Sequence, residues 1–346
     1  LYFHENNLYT DHTYYFLNLG TVGAEGGLIN VIFTDAGGDD LLIYSGTDGV
    51  DTLIVSGNEI THVSPIGEHE HVFGGEGSIE SLMLKGFGGD DTFVVQGNVF
   101  SGGVQVDGGQ PDSGSDTLLY DAEGNLAIDL EGKAIEDDAN PDTLFVGIEQ
   151  VEISADGNAV TVFGAEGDDG LEVAPMGAND VEFHEVGGTT MFDVEDIGEF
   201  AVDLQAGEDQ LIVSGSASAE GMTLSDGALA TTDRETVLFQ DVEELTVLGL
   251  GGDDALNFDN TAGDVVPSVL FDGGGGVDVL VLTGDSTTAN YTVGPDASSG
   301  LVEQGDTVIQ FTGLEPVIDL TAGTLVVNAT DASEAINYIE GPNSGT

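Results

Sequence analysis

The chain has no cysteine and no tryptophan, and only Lys85, Lys133 and Arg234 among its 346 residues are basic. Without cysteine, no disulfide framework can support the fold. With so few cations, the chain cannot form the basic patch that nucleic-acid phosphates or an anionic membrane surface would require. No apolar run approaches the length needed to span a bilayer. We therefore expect neither a nucleic-acid partner nor membrane insertion.

Acidic residues dominate instead, since 65 Asp and Glu residues give a formal net charge of −62. Such an imbalance is typical of disordered acidic tails. Here, however, 40% of the residues are hydrophobic, and they lie in clusters of strand length, which indicates that the chain buries a core. Three basic side chains cannot neutralise this charge, so the balance must come from bound divalent cations, from high salt or from both.

One five-residue pattern, Gly-x-Asp-x-apolar, occurs eight times along the chain. Its aspartates are Asp40, Asp51, Asp91, Asp116, Asp169, Asp209, Asp254 and Asp278. A second acid stands beside several of them or precedes the turn, at Asp39, Asp90, Asp168, Asp253 and Asp272. These repeats, together with recurring apolar-Glu pairs, predict an array of stacked units. The predicted organisation is an aromatic-rich cap or docking segment at 1–30, then repeat units at 31–103, 104–173, 174–268 with an insertion, and 269–346 with a C-terminal cap.

The apolar segments predict a protein made almost entirely of β-strands. Segments such as DTLIV, DTFVV and VLVL are short, rich in β-branched residues and bounded by Gly, Asp or Ser, as strands are. No window of helical length combines a 3.6-residue apolar period with capping residues. We therefore predict an all-β fold, a parallel β-solenoid or β-helix built from Gly/Asp-rich repeats. Tandem β-sandwich domains are the alternative.

The acids at the glycine turns have two chemical interpretations. Ca²⁺ binds six to eight oxygen atoms from carboxylates and backbone carbonyls, and glycine lets carbonyls approach without a Cβ clash. On this interpretation the thirteen aspartates named above are candidate calcium ligands. Alternatively, Asp and Gly simply suit turns, where Asp side chains bind backbone groups.

The motif resembles the haemolysin-type (RTX) calcium-binding repeats, whose consensus is Gly-Gly-x-Gly-x-Asp-x-apolar-x. GGGGVDVLV, which begins at Gly273, fits it fully, and GFGGDDTFV from Gly86 and GLGGDDALN from Gly249 lack only the second glycine. The resemblance implies a secreted protein that folds or stiffens on binding calcium. It is divergent, because family repeats run in tandem every nine residues whereas here the motif aspartates are 11 to 53 residues apart. Coils must therefore be longer, and any site must form between turns that are distant in sequence.

Other signals are weaker. His62, His69 and His71 could bind Zn²⁺, but an exposed polar loop is the favoured interpretation, because nothing in the sequence fixes a fourth ligand. No arrangement of catalytic residues is recognisable, so we expect no enzymatic activity, and a β-helix enzyme acting on polysaccharides is the least favoured option. The sequence predicts an extracellular or cell-surface structural protein, part of a filament, surface layer or adhesin that self-associates. A calcium-dependent module that binds cell-surface polysaccharide is the alternative.

Overall fold

The computed structural model describes residues 29–32, 39–64, 67–74, 79–109, 115–259, 261, 266–283, 288–315, 318–320 and 324–329. These residues form thirty-one β-strands and no α-helix, which confirms the predicted all-β class. Accordingly, no helix within these ranges is long and apolar enough to cross a membrane. The predicted N-terminal segment 1–30 lies outside the described residues apart from the start of the first strand.

The chain divides into two compact units, and the first comprises Leu1–Val213 and Asp233–Val242. Its strands are β1 (Ile29–Ile32), β2 (Leu41–Ser45), β3 (Thr52–Gly57), β4 (Glu59–Ser64), β5 (Gly67–Gly74), β6 (Ser81–Phe87), β7 (Thr92–Asn98), β8 (Val104–Gly109), β9 (Thr117–Asp121), β10 (Leu126–Asp129), β11 (Ala134–Asp137), β12 (Asn140–Val146), β13 (Gln150–Ser154), β14 (Ala159–Phe163), β15 (Gly170–Pro175), β16 (Val181–Glu185), β17 (Met191–Glu195), β18 (Glu199–Asp203), β19 (Gln210–Ser214) and β22 (Val237–Gln240).

The second unit comprises Ser214–Thr232 and Glu243–Thr346. Its strands are β20 (Gly221–Ser225), β21 (Ala228–Thr231), β23 (Glu244–Leu248), β24 (Ala255–Asp259), β25 (Ser268–Asp272), β26 (Val279–Thr283), β27 (Thr288–Val293), β28 (Gly300–Gln304), β29 (Thr307–Thr312), β30 (Ile318–Leu320) and β31 (Thr324–Asn328). The boundary between the two units falls inside the predicted repeat unit 174–268.

In the first unit the strands form two large, mostly parallel sheets. One sheet runs in the order β1-β5-β4-β3-β7-β9-β13-β17-β16-β15-β19. The other runs β2-β6-β8-β12-β11-β10-β14-β18-β22. Consecutive strands enter the two sheets in turn, and we call one passage of the chain through both sheets a coil. A strand therefore pairs in parallel with a strand of the next coil; Leu53, for example, is in register with Phe93.

Antiparallel excursions interrupt this parallel order at intervals. β3-β4-β5, β10-β11-β12 and β15-β16-β17 each place three strands side by side in one sheet before the chain crosses to the other. The second unit repeats the design, with sheets β23-β25-β29-β28-β27-β31 and β21-β20-β24-β26-β30. Because sandwiches are antiparallel, the parallel pairing is consistent with the predicted solenoid.

The core of the first unit lies between its two sheets. Buried and partly exposed residues alternate along most strands, as the two-residue period of a strand requires. Aromatic rings from opposite sheets meet there: Phe145 of β12 lies 6.0 Å from Phe192 of β17, and Phe183 of β16 lies 5.8 Å from Phe200 of β18. Burying each such ring stabilises the fold by about 1.5–3 kcal/mol.

Candidate metal centre

The motif aspartates of the first unit stack on one another across coils. The main-chain N–H of Asp51 donates to Oδ1 of Asp91 at 2.8 Å, and the N–H of Asp91 donates to Oδ1 of Asp116 at 2.8 Å. The N–H of Asp116 in turn donates to Oε2 of Glu149 at 2.8 Å. We call these four residues the first column. Asp91, Asp116 and Glu149 thus each accept the main-chain N–H of the acid at the equivalent position in the preceding coil.

Two shorter stacks in the same unit follow the same rule. The N–H of Asp40 donates to Oε2 of Glu80, and the N–H of Asp169 donates to Oδ1 of Asp209, both at 2.8 Å. In this way the turns of neighbouring coils are connected by carboxylates wherever a motif acid begins a strand.

The second unit contains a column of its own, made of Glu220, Asp254, Asp278 and Glu315. The N–H of Glu220 donates to Asp254 Oδ1 at 2.8 Å, and that of Asp254 donates to Asp278 Oδ1 at 2.8 Å. The N–H of Asp278 donates to Glu315 Oε2 at 2.6 Å. We call this set the second column. Asp254 and Asp278 are 1% and 0% exposed, so their carboxylates lie inside the turns and away from solvent.

The uneven spacing of the motif follows from the antiparallel excursions. Two steps of the columns contain no additional antiparallel strand, Asp91 to Asp116 and Asp254 to Asp278, and they span 25 and 24 residues. The other steps include an excursion or hairpin and span 33 to 40 residues. The turns therefore stay adjacent in space although they are irregular in sequence.

Next to some motif aspartates stands a second acid, which hydrogen-bonds in the reverse direction. In the columns the acid of the later coil accepts an N–H from the earlier coil, whereas this second acid accepts an N–H from the later coil. Asp168 Oδ1 accepts the N–H of Glu208 at 3.0 Å, and Asp253 Oδ1 accepts the N–H of Val277 at 2.9 Å. Combined with the columns, these bonds tie neighbouring turns reciprocally. Asp39 and Asp90 are exposed like Asp168 and Asp253. Asp272 is half-buried, and its Oδ1 accepts the N–H of Gly274 at 3.2 Å.

In the turns of Asp254 and Asp278, glycine is required at two positions because the chain is crowded there. A Cβ on Gly273 would lie 2.5 Å from the Asp278 Cβ and 2.7 Å from its Oδ2. A Cβ on Gly249 would likewise lie 2.7 Å from Asp254 Oδ2. Gly276, at φ 149°, would place a Cβ against the carbonyl oxygen of Gly252 in the neighbouring turn. The glycines thus make room for the buried carboxylate and for the stacked turn.

In some turns the second carboxylate oxygen is also hydrogen-bonded. The residue four positions before the acid donates its N–H to that oxygen: Thr47 to Asp51 Oδ2 at 2.5 Å, Ala165 to Asp169 Oδ2 at 2.6 Å, and Ser216 to Glu220 Oε2 at 3.0 Å. We call these closed turns. The carboxylates in them are held by main-chain donors.

The turns of Asp254 and Asp278 differ. The residue four positions before each acid is left-handed, Leu250 at φ 67° and Gly274 at φ 82°, and the Leu250 carbonyl accepts the N–H of Gly275 in the next turn at 3.1 Å. Asp254 Oδ2 and Asp278 Oδ2 are buried without a hydrogen-bond partner. We call these open turns. A left-handed leucine is strained, so this conformation is maintained by the stacking.

The second column is electrostatically unbalanced. Burial, with contributions from Asp278 and Glu220, raises the pKa of Asp254. Burial, with contributions from Glu315 and Asp253, likewise raises the pKa of Asp278. The second unit contains no lysine, arginine or histidine. Its carboxylates therefore have no cationic side chain of their own unit to neutralise them.

The first column begins differently, at a histidine. His62 is 7% exposed, and its Nε2 lies 2.9 Å from Asp51 Oδ1. Its Nδ1 lies 3.2 Å from the Tyr44 hydroxyl, and burial followed by the charge of Asp51 raises the pKa of Tyr44. His62 thus takes the place of the main-chain donor at this end of the column. The side chains of His69 and His71, proposed with it for zinc, lie outside what the structure describes.

The sequence motif did not identify every member of the columns. Glu80, Glu149, Glu220 and Glu315 occupy the same position as the aspartates. Allowing Glu in the five-residue pattern would not have found Glu220, because Ser218 stands where the pattern has glycine; the remaining signal is Gly215, which precedes Glu220 by five residues as Gly249 precedes Asp254. The other three belong to the apolar-Glu pairs that the sequence shows as a separate motif.

Side chains alone do not form a metal centre in the described part of the chain. No group of three or more His, Cys, Asp or Glu side chains there is arranged to hold an ion. A cation at an open turn would therefore need further oxygen ligands from main-chain carbonyls or water, both of which Ca²⁺ accepts. No protein-family model matches this chain, and no curated protein matches it either.

Proposed function

We propose that the protein is a non-catalytic, extracellular structural protein, an acidic β-solenoid that forms a segment of a filament, surface layer or adhesin and is stiffened by Ca²⁺. The observation that best supports this function is the stacking of carboxylates across coils. A column of acids that repeats along parallel strands would stiffen the stack of coils, because each carboxylate connects one coil to the next. It offers no isolated acid-base pair in a cleft, as catalysis by carboxylates would need.

The solenoid is supported by the parallel register together with the columns. In a repeat array each unit contacts mainly its neighbours, and the columns extend that contact into the turns. A column step returns the chain to the same position after 24 to 40 residues. This return is the defining property of a coil, whether or not the coil contains an antiparallel excursion.

Calcium is supported by the open turns. Asp254 Oδ2 and Asp278 Oδ2 are buried oxygens without a partner, and an unpaired buried polar atom costs about 1–3 kcal/mol. Oxygen is the ligand that Ca²⁺ prefers. We propose that these two carboxylates hold the ion with main-chain carbonyls of their glycine turns, while Asp253 and Asp272 add negative charge nearby. The ion would neutralise a column that has no cationic side chain in its own unit.

The closed turns are not proposed as calcium sites. Oδ2 of Asp51 and Oδ2 of Asp169 each accept a hydrogen bond from a main-chain N–H. An ion would have to displace those hydrogen bonds. The proposal therefore assigns different roles to acids that share one sequence motif. We propose an extracellular location for the protein, where calcium modules bind with dissociation constants of about 10⁻⁴–10⁻³ M.

A calcium titration of the metal-free protein tests the proposal. We expect saturable binding by calorimetry and a rise in melting temperature. Asp278→Asn should abolish part of this binding, whereas the matched control Asp169→Asn, in a closed turn, should retain it. Equal binding by both variants would contradict the assignment of the site. Electron microscopy of the purified chain with calcium should show elongated particles or filaments.

A second candidate, a calcium-dependent carbohydrate-binding module, is favoured by one surface feature of the second unit. A cleft of about 540 Å³ is lined by hydroxyl, amide and carboxylate side chains, among them Thr288, Asn290, Glu303 and Asp306. Such groups can hydrogen-bond to sugar hydroxyls. Particles that stay monomeric and bind a polysaccharide on a glycan array would favour this function over assembly.

A further inference from the structure

The last strand of the second unit is incompletely covered. β31 pairs in parallel with β27, and no other described strand pairs with it. None of its residues is buried, and Leu325 and Val326 are 44% and 40% exposed. An apolar strand with a free edge is a site at which another strand can add.

Register shows which face of β31 lacks a neighbour. Leu325 is in register with Ala289 of β27, which is 0% exposed, so Leu325 stands on the face that β27 turns toward the core. On strands that have a parallel neighbour on both sides, such residues are fully covered, as Leu280 of β26 is at 0%. Leu325 is therefore a core position that would be covered if one more strand were added.

The first unit offers a strand of the same kind. β1, with the sequence INVI, pairs in parallel with β5, and among the described strands it has no second neighbour. Its residues are apolar or amide-bearing and carry no charge. Charged side chains on an edge prevent strand addition, so neither β1 nor β31 has this protection.

We propose that the free edge of β31 pairs in parallel with β1 of a second copy of this chain. The inference rests on the proposed assembly function and names the surfaces that would carry it. The contact is heterologous, with different surfaces on the two copies, and such contacts generate open filaments when the rotation does not close a ring. A second copy supplies an uncharged, apolar strand of the right direction, which is what the ladder ending at β31 lacks.

Copies of a chain with net charge −62 repel each other. At 1 M ionic strength the Debye length falls to about 3 Å, so high salt permits association whether or not calcium binds. Sedimentation in 1 M NaCl with EDTA therefore tests the edge contact separately from the calcium proposal. A filament that forms in the chelator would support the edge contact, while the metal role is tested by the calcium titration alone.

Two variants make the test specific. Leu325→Lys should weaken association at least tenfold, while Leu144→Lys, at a leucine that is 40% exposed on β12, should not. Circular dichroism checks that both variants fold. Equal effects of the two substitutions, or a wild-type monomer at all concentrations, would overturn the proposal. So would association that appears only after truncation behind Ala329, because the chain's own C-terminal residues would then cover β31.

The absence of cysteine provides a second, direct test. Val31→Cys and Val326→Cys are prepared as separate proteins and mixed under oxidising conditions. We expect a disulfide-linked heterodimer in the mixture and little dimer from either protein alone. A prominent Val326→Cys homodimer would show that β31 pairs with itself, and no cross-link at all would show that the edges do not meet. Either result would overturn the proposal.

Discussion

The main-chain N–H of Asp254 donates to Oδ1 of Asp278, 24 residues further along the chain, at 2.8 Å. The hydrogen bond places one buried carboxylate directly against the turn that carries the next. Aspartate at this position therefore has two roles: Oδ1 satisfies a donor in the neighbouring coil, and in an open turn Oδ2 remains available. Substitutions that keep or remove one of the two oxygens separate these roles.

The acceptor role predicts a difference between two substitutions of Asp278. Asp278→Asn keeps an oxygen acceptor and removes the charge, so in chelator it should be at least as stable as the wild type. Asp278→Ala leaves the Asp254 N–H buried and unpaired, which should cost about 1–3 kcal/mol of unfolding free energy. Denaturant unfolding measures both. Equal stability of the two variants would show that the hydrogen bond contributes nothing.

Crowding in the Asp278 turn predicts that substitutions of two nearby glycines have different effects on stability. Gly273→Ala places a methyl group 2.5 Å from the Asp278 Cβ, and overpacking of this kind costs about 1–3 kcal/mol. Gly275→Ala meets nothing closer than the Leu250 carbonyl oxygen at 4.0 Å, so its effect should be close to zero. Thermal melts of the two variants check this, and a reversed order would refute the turn geometry.

The raised pKa values predict that the metal-free protein is stabilised by acid. Asp254 and Asp278 have pKa values above their usual range, so the folded state binds these protons more tightly than the unfolded state does. The stabilisation is present below the ordinary Asp pKa of about 3.9 and is lost as the pH rises through the raised values. In EDTA, we expect a higher melting temperature at pH 5 than at pH 7.5.

The control for the pH experiment is the double variant Asp254→Asn and Asp278→Asn. General repulsion among surface acids also weakens as the pH falls, and this part should survive in the variant. The part due to the second column should disappear, giving a shallower dependence of melting temperature on pH. Identical slopes for variant and wild type would assign the whole effect to the surface.

The end of the first column predicts a specific role for His62. His62→Phe removes the donor to Asp51 Oδ1 and the contact with the Tyr44 hydroxyl, and it should lower stability by about 1–3 kcal/mol. His62→Gln keeps an N–H donor and should lose less. Hydrogen exchange of β3 amides measures the effect locally. Protection that survives in His62→Phe but is lost in His62→Gln would mean that the ring acts by packing alone.

Much of this architecture can be predicted from local sequence. Short β-branched segments between Gly and Asp predict strands and turns, because both depend on residues close in sequence. The recurring pattern identified the acids at Asp51, Asp91, Asp254 and Asp278 as equivalent. Its uneven spacing also indicated that turns distant in sequence would meet, as the columns show.

The sequence by itself thus determined the all-β class, the acidity that nothing within the chain can neutralise, and the positions of most turn acids. Only the tertiary structure decided which acids stack, that Glu220 and Glu315 join the second column, and which carboxylates keep an unpartnered oxygen. Leu250 and Thr47 stand at the same motif position, yet only Leu250 is left-handed. The left-handed conformation depends on hydrogen bonds to the neighbouring coil, such as the one from Gly275 to the Leu250 carbonyl. The residues that form these bonds are about two dozen positions away, so the local sequence does not predict them.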